Sequence, residues 1–311
     1  MQNNYFNMKS VVFILLFTAV VIPYISYNFD QPLNDLQWEV LSFLSKIAFG
    51  MFVLVFILNT ATNNYSQVDK LWSIMPMLYS WIMVYMSGFN SRLLLATSLI
   101  TVWGSRLTYN FAKKGGYSWK FWEGEEDYRW AHVRKIPFLT HPIAWFLFNL
   151  FFISLYQSYL IMGFTLPLVL TFGQNTPLGP LDFAAAALFL GFWTLETVAD
   201  YQQWVFQEGK RKAISSGKEI KEPYRTGFIR SGVWNYSRHP NYFSEQAMWV
   251  TIYLFSVAAT GRYINWSFIG SLLLILLFKG SADLSEGISA KKYPAYKEYM
   301  SKTPMFIPKL F

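Results

Sequence analysis

Apolar runs of about twenty residues recur along this chain, separated by short polar loops, and a run of that length is what an α-helix needs to cross a bilayer. Eight such runs stand out: Val11–Tyr27, Val40–Asn59, Leu71–Ser87, Arg92–Ala112, Pro142–Gly163, Leu181–Phe206, Phe243–Thr260 and Ile264–Ser281. The stretch Phe164–Phe172 is apolar too, but it is short and carries Pro167, so it predicts a loop lying at the membrane interface. The first run follows Lys9 and meets Pro23, with no small-x-small cleavage site after it. It predicts a retained first helix rather than a signal peptide. The pattern shows no internal repeat, no low-complexity tract and no linker. It predicts an all-α integral membrane protein of about eight transmembrane helices, one membrane domain over residues 1–311.

Composition agrees with the pattern. Of the 311 residues 53% are hydrophobic and only 14% charged, where soluble domains run to about 25% charged. The net charge of +8 would suit nucleic acid only in a basic soluble domain, and no loop is long enough to be one. Its distribution instead follows topology. With eight spans, 22 basic residues fall on the side of both termini, and only Arg92 and Arg262 on the other. That bias places both termini in the cytoplasm. Cysteine is absent, and the three histidines, His132, His141 and His239, are far apart. No disulfide, thiolate or clustered metal site is expected.

The candidate chemistry concentrates where a basic loop enters the seventh run, at Ser237-Arg238-His239-Pro240-Asn241-Tyr242, followed by Glu245. Ionisable groups in or beside a bilayer are costly unless they pair with one another or with a polar ligand. Asn241 and Glu245 lie four apart and share a helical face. Glu196 and Asp200 share a face near the end of the sixth run, and Asp283 and Glu286 lie three apart after the eighth. By the topology above, these pairs reach one depth on the cytoplasmic side. Arg211, Arg225, Arg230 and Arg238 occupy the loop above them. Such a cavity suits a large anionic cofactor, with cations on phosphates and carboxylates or amides on its neutral parts. Earlier in the chain, Asp69 opens the third run as a natural N-cap. Arg106, Tyr109 and Asn110 lie in the fourth, where Arg106 must face a partner such as Asp69 or a ligand. The loop Glu125-Glu126-Asp127-Tyr128-Arg129-Trp130 reads equally as a lid or a solvated surface. No Gly-x-Gly-x-x-Gly unit, P-loop or Gly-x-Ser-x-Gly elbow occurs.

These residues resemble the C-terminal region of the steroid 5α-reductase family, most closely its mostly bacterial branch. The matching stretches are Glu196 to Gln202, Gly232 to Glu245, and Tyr293-Pro294-x-Tyr296 leading to Ile307-Pro308, with Val68 to Trp72 and Arg106 to Phe111 similar as well. The resemblance implies a membrane reductase that holds NADPH in a cytoplasm-facing site built by residues 181–311, with residues 1–140 on the lipid-substrate side. It implies that Asp200, Asn241 and Glu245 contact polar parts of the cofactor, that Arg225 and Arg238 contact phosphates, and that His239 bonds cofactor or orients Glu245. Tyr242 and Glu286 complete the set. Where animal steroid reductases hold the substrate carbonyl with a glutamate and a tyrosine, this chain offers Asp69 and Tyr109, with Arg106 nearby. The expected reaction is reduction of an enone lipid of steroid, sterol or isoprenoid type, in a bacterial inner membrane or an endoplasmic reticulum. Arg-His-Pro-x-Tyr also occurs in membrane methyltransferases of prenylated cysteine or phospholipid. S-adenosylmethionine around Arg238, His239 and Glu286 is therefore the alternative cofactor reading. A transporter would show broken helices or a repeat, and neither is visible.

Overall fold

A computed structural model describes residues 30–309 apart from 121, together with 21, 24 and 28. The first apolar run, Val11–Tyr27, lies outside the continuously described residues. The described secondary structure is helical throughout. Helices occur at each of the other seven apolar runs. Four are long and apolar enough to cross a membrane: Asp35–Thr62, Pro142–Thr171, Pro180–Ser215 and Trp266–Lys292. Helix Ile74–Met86 has 13 residues, about 20 Å at 1.5 Å per residue, short of a roughly 30 Å hydrocarbon layer.

The chain divides into two compact units. Among the described residues, those up to 185 together with 252–274 make the first, and 186–251 with 275–309 make the second. Segment 252–274 thus packs with the N-terminal helices, although it belongs in sequence to the C-terminal part.

In the first unit, α1 (Asp35–Thr62) opens on a capping box. Gln37 N donates to Asn34 Oδ1 at 2.9 Å, and Asn34 N donates to Gln37 Oε1 at 3.2 Å. The α1 face carrying Val40, Leu44, Ala48, Met51 and Val55 is buried, at the three-to-four spacing of one helical stripe. After α2 (Gln67–Leu71), the helices α3 (Ile74–Met86) and α4 (Ser91–Lys113) pack so closely that a Cβ on Gly104 would come within 2.8 Å of Met77 and Ser73. A short α5 (Tyr128–Val133) precedes α6 (Pro142–Phe148), a π-helical stretch (Asn149–Tyr156) and α7 (Gln157–Gly163).

The segment expected to be an interfacial loop is not one. It continues as α8 (Leu166–Thr171), and every residue from Phe164 to Phe172 is buried. Pro167 sits at the helix start, where its missing N–H leaves no hydrogen bond unmade. At the other end, Gln37 Nε2 donates to the Leu170 and Phe172 carbonyls at 3.1 and 3.3 Å. Those contacts satisfy backbone acceptors that could not otherwise be buried. The turn at Trp266–Phe268 leads into a backbone-to-backbone approach. A Cβ on Gly270 would sit 1.9 Å from the Gly163 carbonyl oxygen. Buried Arg92 forms a two-pronged ion pair with Asp182, at 2.7 and 2.9 Å, and also donates to Thr176 and Pro177.

The second unit holds the later part of α9 (Pro180–Ser215), the first half of α10 (Pro240–Thr260), the later part of α11 (Ile269–Lys292) and α12 (Tyr296–Lys302). Two small cores hold it together. Ala199, Phe206, Ile229 and Trp234 make one, and Phe228, Tyr296 and Tyr299 the other. The Tyr299 hydroxyl donates to the Trp234 carbonyl, joining them. Beyond α12, Lys309 N donates to the Tyr236 carbonyl at 2.9 Å, so the C-terminal segment is tied back beside the loop preceding α10.

Candidate functional site

Pro240 begins α10, and the residues on either side of it do different work. Before it, the Arg238 and His239 backbone amides donate to the Pro304 and Met305 carbonyls at 2.9 and 3.0 Å. The buried Arg238 guanidinium grips Glu286, with Nε–Oε1 at 2.6 Å and Nη2–Oε2 at 3.0 Å. Its Nη1 donates to the Met300 carbonyl at 2.9 Å and to the Thr303 carbonyl. His239 Nε2 meets the same Glu286 Oε1 at 2.9 Å, and its ring stacks on Tyr242. Arg238, His239, Tyr242 and Glu286 therefore form one cluster that fixes the C-terminal tail.

After Pro240, Asn241 Nδ2 donates to Asp200 Oδ1 at 3.2 Å. A carboxylate only accepts hydrogen bonds, so this contact fixes which end of the amide faces Asp200. Asn241 Oδ1 is left buried with no hydrogen-bond partner among the described residues. One turn on, Glu245 is buried and accepts from Trp249 Nε1 at 3.1 Å. Glu196, one turn before Asp200, is buried as well. Of the three acidic or amide pairs read from the sequence, two bring buried groups into this unit. The third divides, because Asp283 is exposed and paired with Lys279 at 2.6 Å, while Glu286 faces inward. Arg225 is exposed and paired with Glu222 at 3.2 Å.

This geometry sits inside a recognisable sequence family. Its description is "Protein of unknown function (DUF1295)", and it matches residues 55–303. The chain belongs to that family. A relative from Schizosaccharomyces pombe, described as "Uncharacterized protein C594.04c", is 37% identical over 264 residues, covering 80% of this chain and 74% of the relative. No solved structure matches. The family match takes in Asp69, Arg106, Tyr109 and every candidate cofactor residue of the second unit.

The first unit contains a second polar centre, around Asp69. The loop after α4 is clasped onto residues 64–70. Lys70 Nζ donates to the Glu123 carbonyl at 2.5 Å, Gln67 Nε2 to Trp122 at 2.9 Å, and Asn64 Nδ2 to Gly124 at 2.9 Å. From the other direction, Tyr65 N donates to Glu126 Oε1, and Asp127 N to Ser66 Oγ. The Glu125–Trp130 stretch, open between lid and solvated surface in the sequence, is therefore a strap. Asp69 keeps some accessible surface, yet desolvation pushes its carboxyl up to about 6, against a lowering hydrogen bond from Ser66 and the charge of Arg129. Burial also raises Asp127, but hydrogen bonding and charge from Arg129 outweigh it and hold that carboxyl below its ordinary value.

Tyr109 is 66% exposed, and no hydrogen bond joins it to Asp69. Arg106 is partly buried on the same helix. The tyrosine that enters the Asp69 surroundings is Tyr117, whose hydroxyl donates to the Lys70 carbonyl at 2.7 Å. It lies near the Ser73–Thr108 hydroxyl pair, itself 2.7 Å apart. In the sequence, Gly115-Gly116-Tyr117 stands beside this candidate set with no role assigned to Tyr117. The signal was Gly115-Gly116: Gly115 adopts φ 81°, and a Cβ on Gly116 would strike the Phe111 ring. The pair lets the chain double back so that Tyr117 can reach in.

Proposed function

We propose that this protein is a membrane-embedded, NADPH-dependent reductase of a carbon–carbon double bond in an enone lipid. The observation that carries this reading is Asn241 Oδ1. A buried acceptor left unpaired costs about 1–3 kcal/mol, and a ligand N–H or O–H placed there would recover it. A nicotinamide dinucleotide offers both, in its carboxamide and its ribose hydroxyls, while Asp200 and Glu245 provide acceptors for the same groups. The residues therefore fit its neutral polar parts. Arg238 is committed to Glu286 and two carbonyls, so phosphate contacts fall to the exposed cations of the 210–230 segment, Arg225 among them.

Bound there, the dinucleotide would supply a hydride. On the substrate side, the chain must stabilise charge on the carbonyl oxygen. Asp69, protonated up to about pH 6, is the candidate donor, as a carboxylic acid kept neutral by its surroundings can be. Arg106 and Tyr109 remain the other candidates. The reading includes eight spans with both termini in the cytoplasm, and takes the short α3 as a span over which the bilayer thins.

The test is a thermal-shift titration of detergent-purified protein with NADPH, NADH and S-adenosylmethionine, on wild type and Asn241→Leu. A ligand that binds the folded state raises the melting temperature by mass action. NADPH should stabilise wild type, and Asn241→Leu should lose most of that shift while melting no lower by itself. Stabilisation by S-adenosylmethionine alone would transfer Arg238, His239 and Glu286 to a methyltransferase site and end the reductase reading.

A further inference from the structure

Lys210, near the end of α9, reaches the segment that joins α11 to α12. Its Nζ donates to the Gly227 carbonyl at 2.7 Å and to the Tyr293 hydroxyl at 2.9 Å. Lys292 Nζ lies 5.4 Å from the Tyr293 ring centroid, and Lys210 Nζ lies 5.1 Å from it. The ring cannot swing away toward Gly227. That residue adopts φ 86°, and even a Cβ there would come within 2.2 Å of the ring. The two ammonium groups are held around one phenol.

What sets these cations apart is that both are held against one phenol rather than against a carboxylate. Elsewhere in the same unit, Arg211 pairs with Glu208, Arg225 with Glu222, Lys279 with Asp283 and Lys302 with Glu298. Among the described residues, neither Lys210 nor Lys292 pairs with a carboxylate. Two like charges beside one ring repel one another. The phenol answers in part: burial pushes the Tyr293 hydroxyl up, but Lys210 and then Lys292 outweigh that and hold it below the ordinary tyrosine value. A neutral oxygen polarised by two ammoniums is a poor substitute for an anion.

We propose that Lys210, Lys292 and the Tyr293 hydroxyl form a binding site for a phosphate monoester. A monoester carries a charge of about −1.5 to −2 at pH 7, which matches two point-charge donors, and the hydroxyl supplies a third hydrogen bond. The group could arrive as the 2′-phosphate of a dinucleotide, as a lipid phosphomonoester or as free phosphate. The site stands independently of the reductase reading.

Isothermal titration of the detergent-solubilised full chain tests it with three probes: adenosine 2′-phosphate, short-chain phosphatidic acid in mixed micelles, and inorganic phosphate. Lys292→Met, at an exposed side chain, should weaken binding about tenfold, the scale of one charge-assisted hydrogen bond. Lys210→Met should do the same, with its melting temperature recorded to separate folding from binding. Lys302→Met, which removes a paired surface charge, should change nothing. Binding of adenosine 2′-phosphate alone assigns the site to a nucleotide, binding of phosphatidic acid alone to a lipid, and equal response to all three to phosphate itself. Failure of all three probes to bind wild type overturns the proposal, and so does binding that both lysine variants leave intact.

Discussion

Glu286 is the residue whose removal should be felt most. Its side chain is 2% exposed and answers Arg238, itself 9% exposed, through contacts of 2.6 and 3.0 Å, with His239 on the same oxygen. Glu286→Gln keeps the shape and removes the charge, leaving a buried guanidinium uncompensated. Breaking such a pair from one side costs about 3–5 kcal/mol, which at about 2–4 °C per kcal/mol lowers the melting temperature by roughly 6–20 °C. Arg238→Met should cost a similar amount. It should also expose the bond after Lys302 to trypsin, because the Met300 and Thr303 carbonyls lose their donor. In the double variant Arg238→Met/Glu286→Gln no charge is left stranded, and stability should recover to within about 2 kcal/mol of wild type, the remaining deficit being the two lost carbonyl contacts at about 1 kcal/mol each. Chemical denaturation of the four proteins in one detergent closes the cycle. If Glu286→Gln lies within about 0.5 kcal/mol of wild type, or if the two single losses simply add, the pair is not what holds this tail.

Two further predictions concern the first unit. Gly270→Ala places a methyl 1.9 Å from the Gly163 carbonyl oxygen and should destabilise by at least about 1–3 kcal/mol, the scale of overpacking. Gly50→Ala, in α1 with nothing within 4 Å, should be neutral or stabilise by up to about 1 kcal/mol, and equal effects in a melt would refute the close-approach argument. Asp69 titrates at about 6 folded against 3.8 for the free side chain. The folded state thus holds the proton more tightly, so this group's contribution is fully present below about pH 4 and is lost as pH rises through about 6. Asp69→Asn should therefore gain on wild type as pH rises from 4 to 7. A difference in melting temperature that stays flat over that range would show that Asp69 is not desolvated.

The helices were legible because apolar runs of spanning length have few other uses, and the described ones all became helices. What the pattern concealed was which runs face lipid and which are packed inside. Pro142–Thr171 reads like the other spans, yet 83% of its apolar window is buried in the protein. Hydropathy treats lipid and protein interior as one environment, so it could not tell Phe164–Phe172, held by Gln37 from 133 residues away, from an interfacial loop. In the second unit the motif was visible, as was the shared face of Asn241 and Glu245. The partner of Arg238 was not, since Glu286 lies 48 residues on, in α11, and only tertiary packing brings them together. The role of Tyr117 was hidden for the same reason: its reach depends on a reversal at Gly115-Gly116 whose destination lies 47 residues back.

The break at Pro240 also decides which substitutions can report on a ligand. Up to His239 the chain is irregular and turns its polar groups to the tail; from Asn241 on it is helical, and Asn241 and Glu245, one turn apart, share a face of α10. A variant at Arg238 removes four contacts that hold the protein's own backbone and carboxylate. Any loss of ligand affinity it shows therefore mixes binding with unfolding. Asn241 makes one contact, to Asp200, and buries one unmet acceptor, so Asn241→Leu removes as much desolvation cost as hydrogen bonding and should leave the fold nearly unchanged. Ligand affinity lost at Asn241 with stability intact is thus evidence about the site, whereas affinity lost at Arg238 is first of all evidence about the tail.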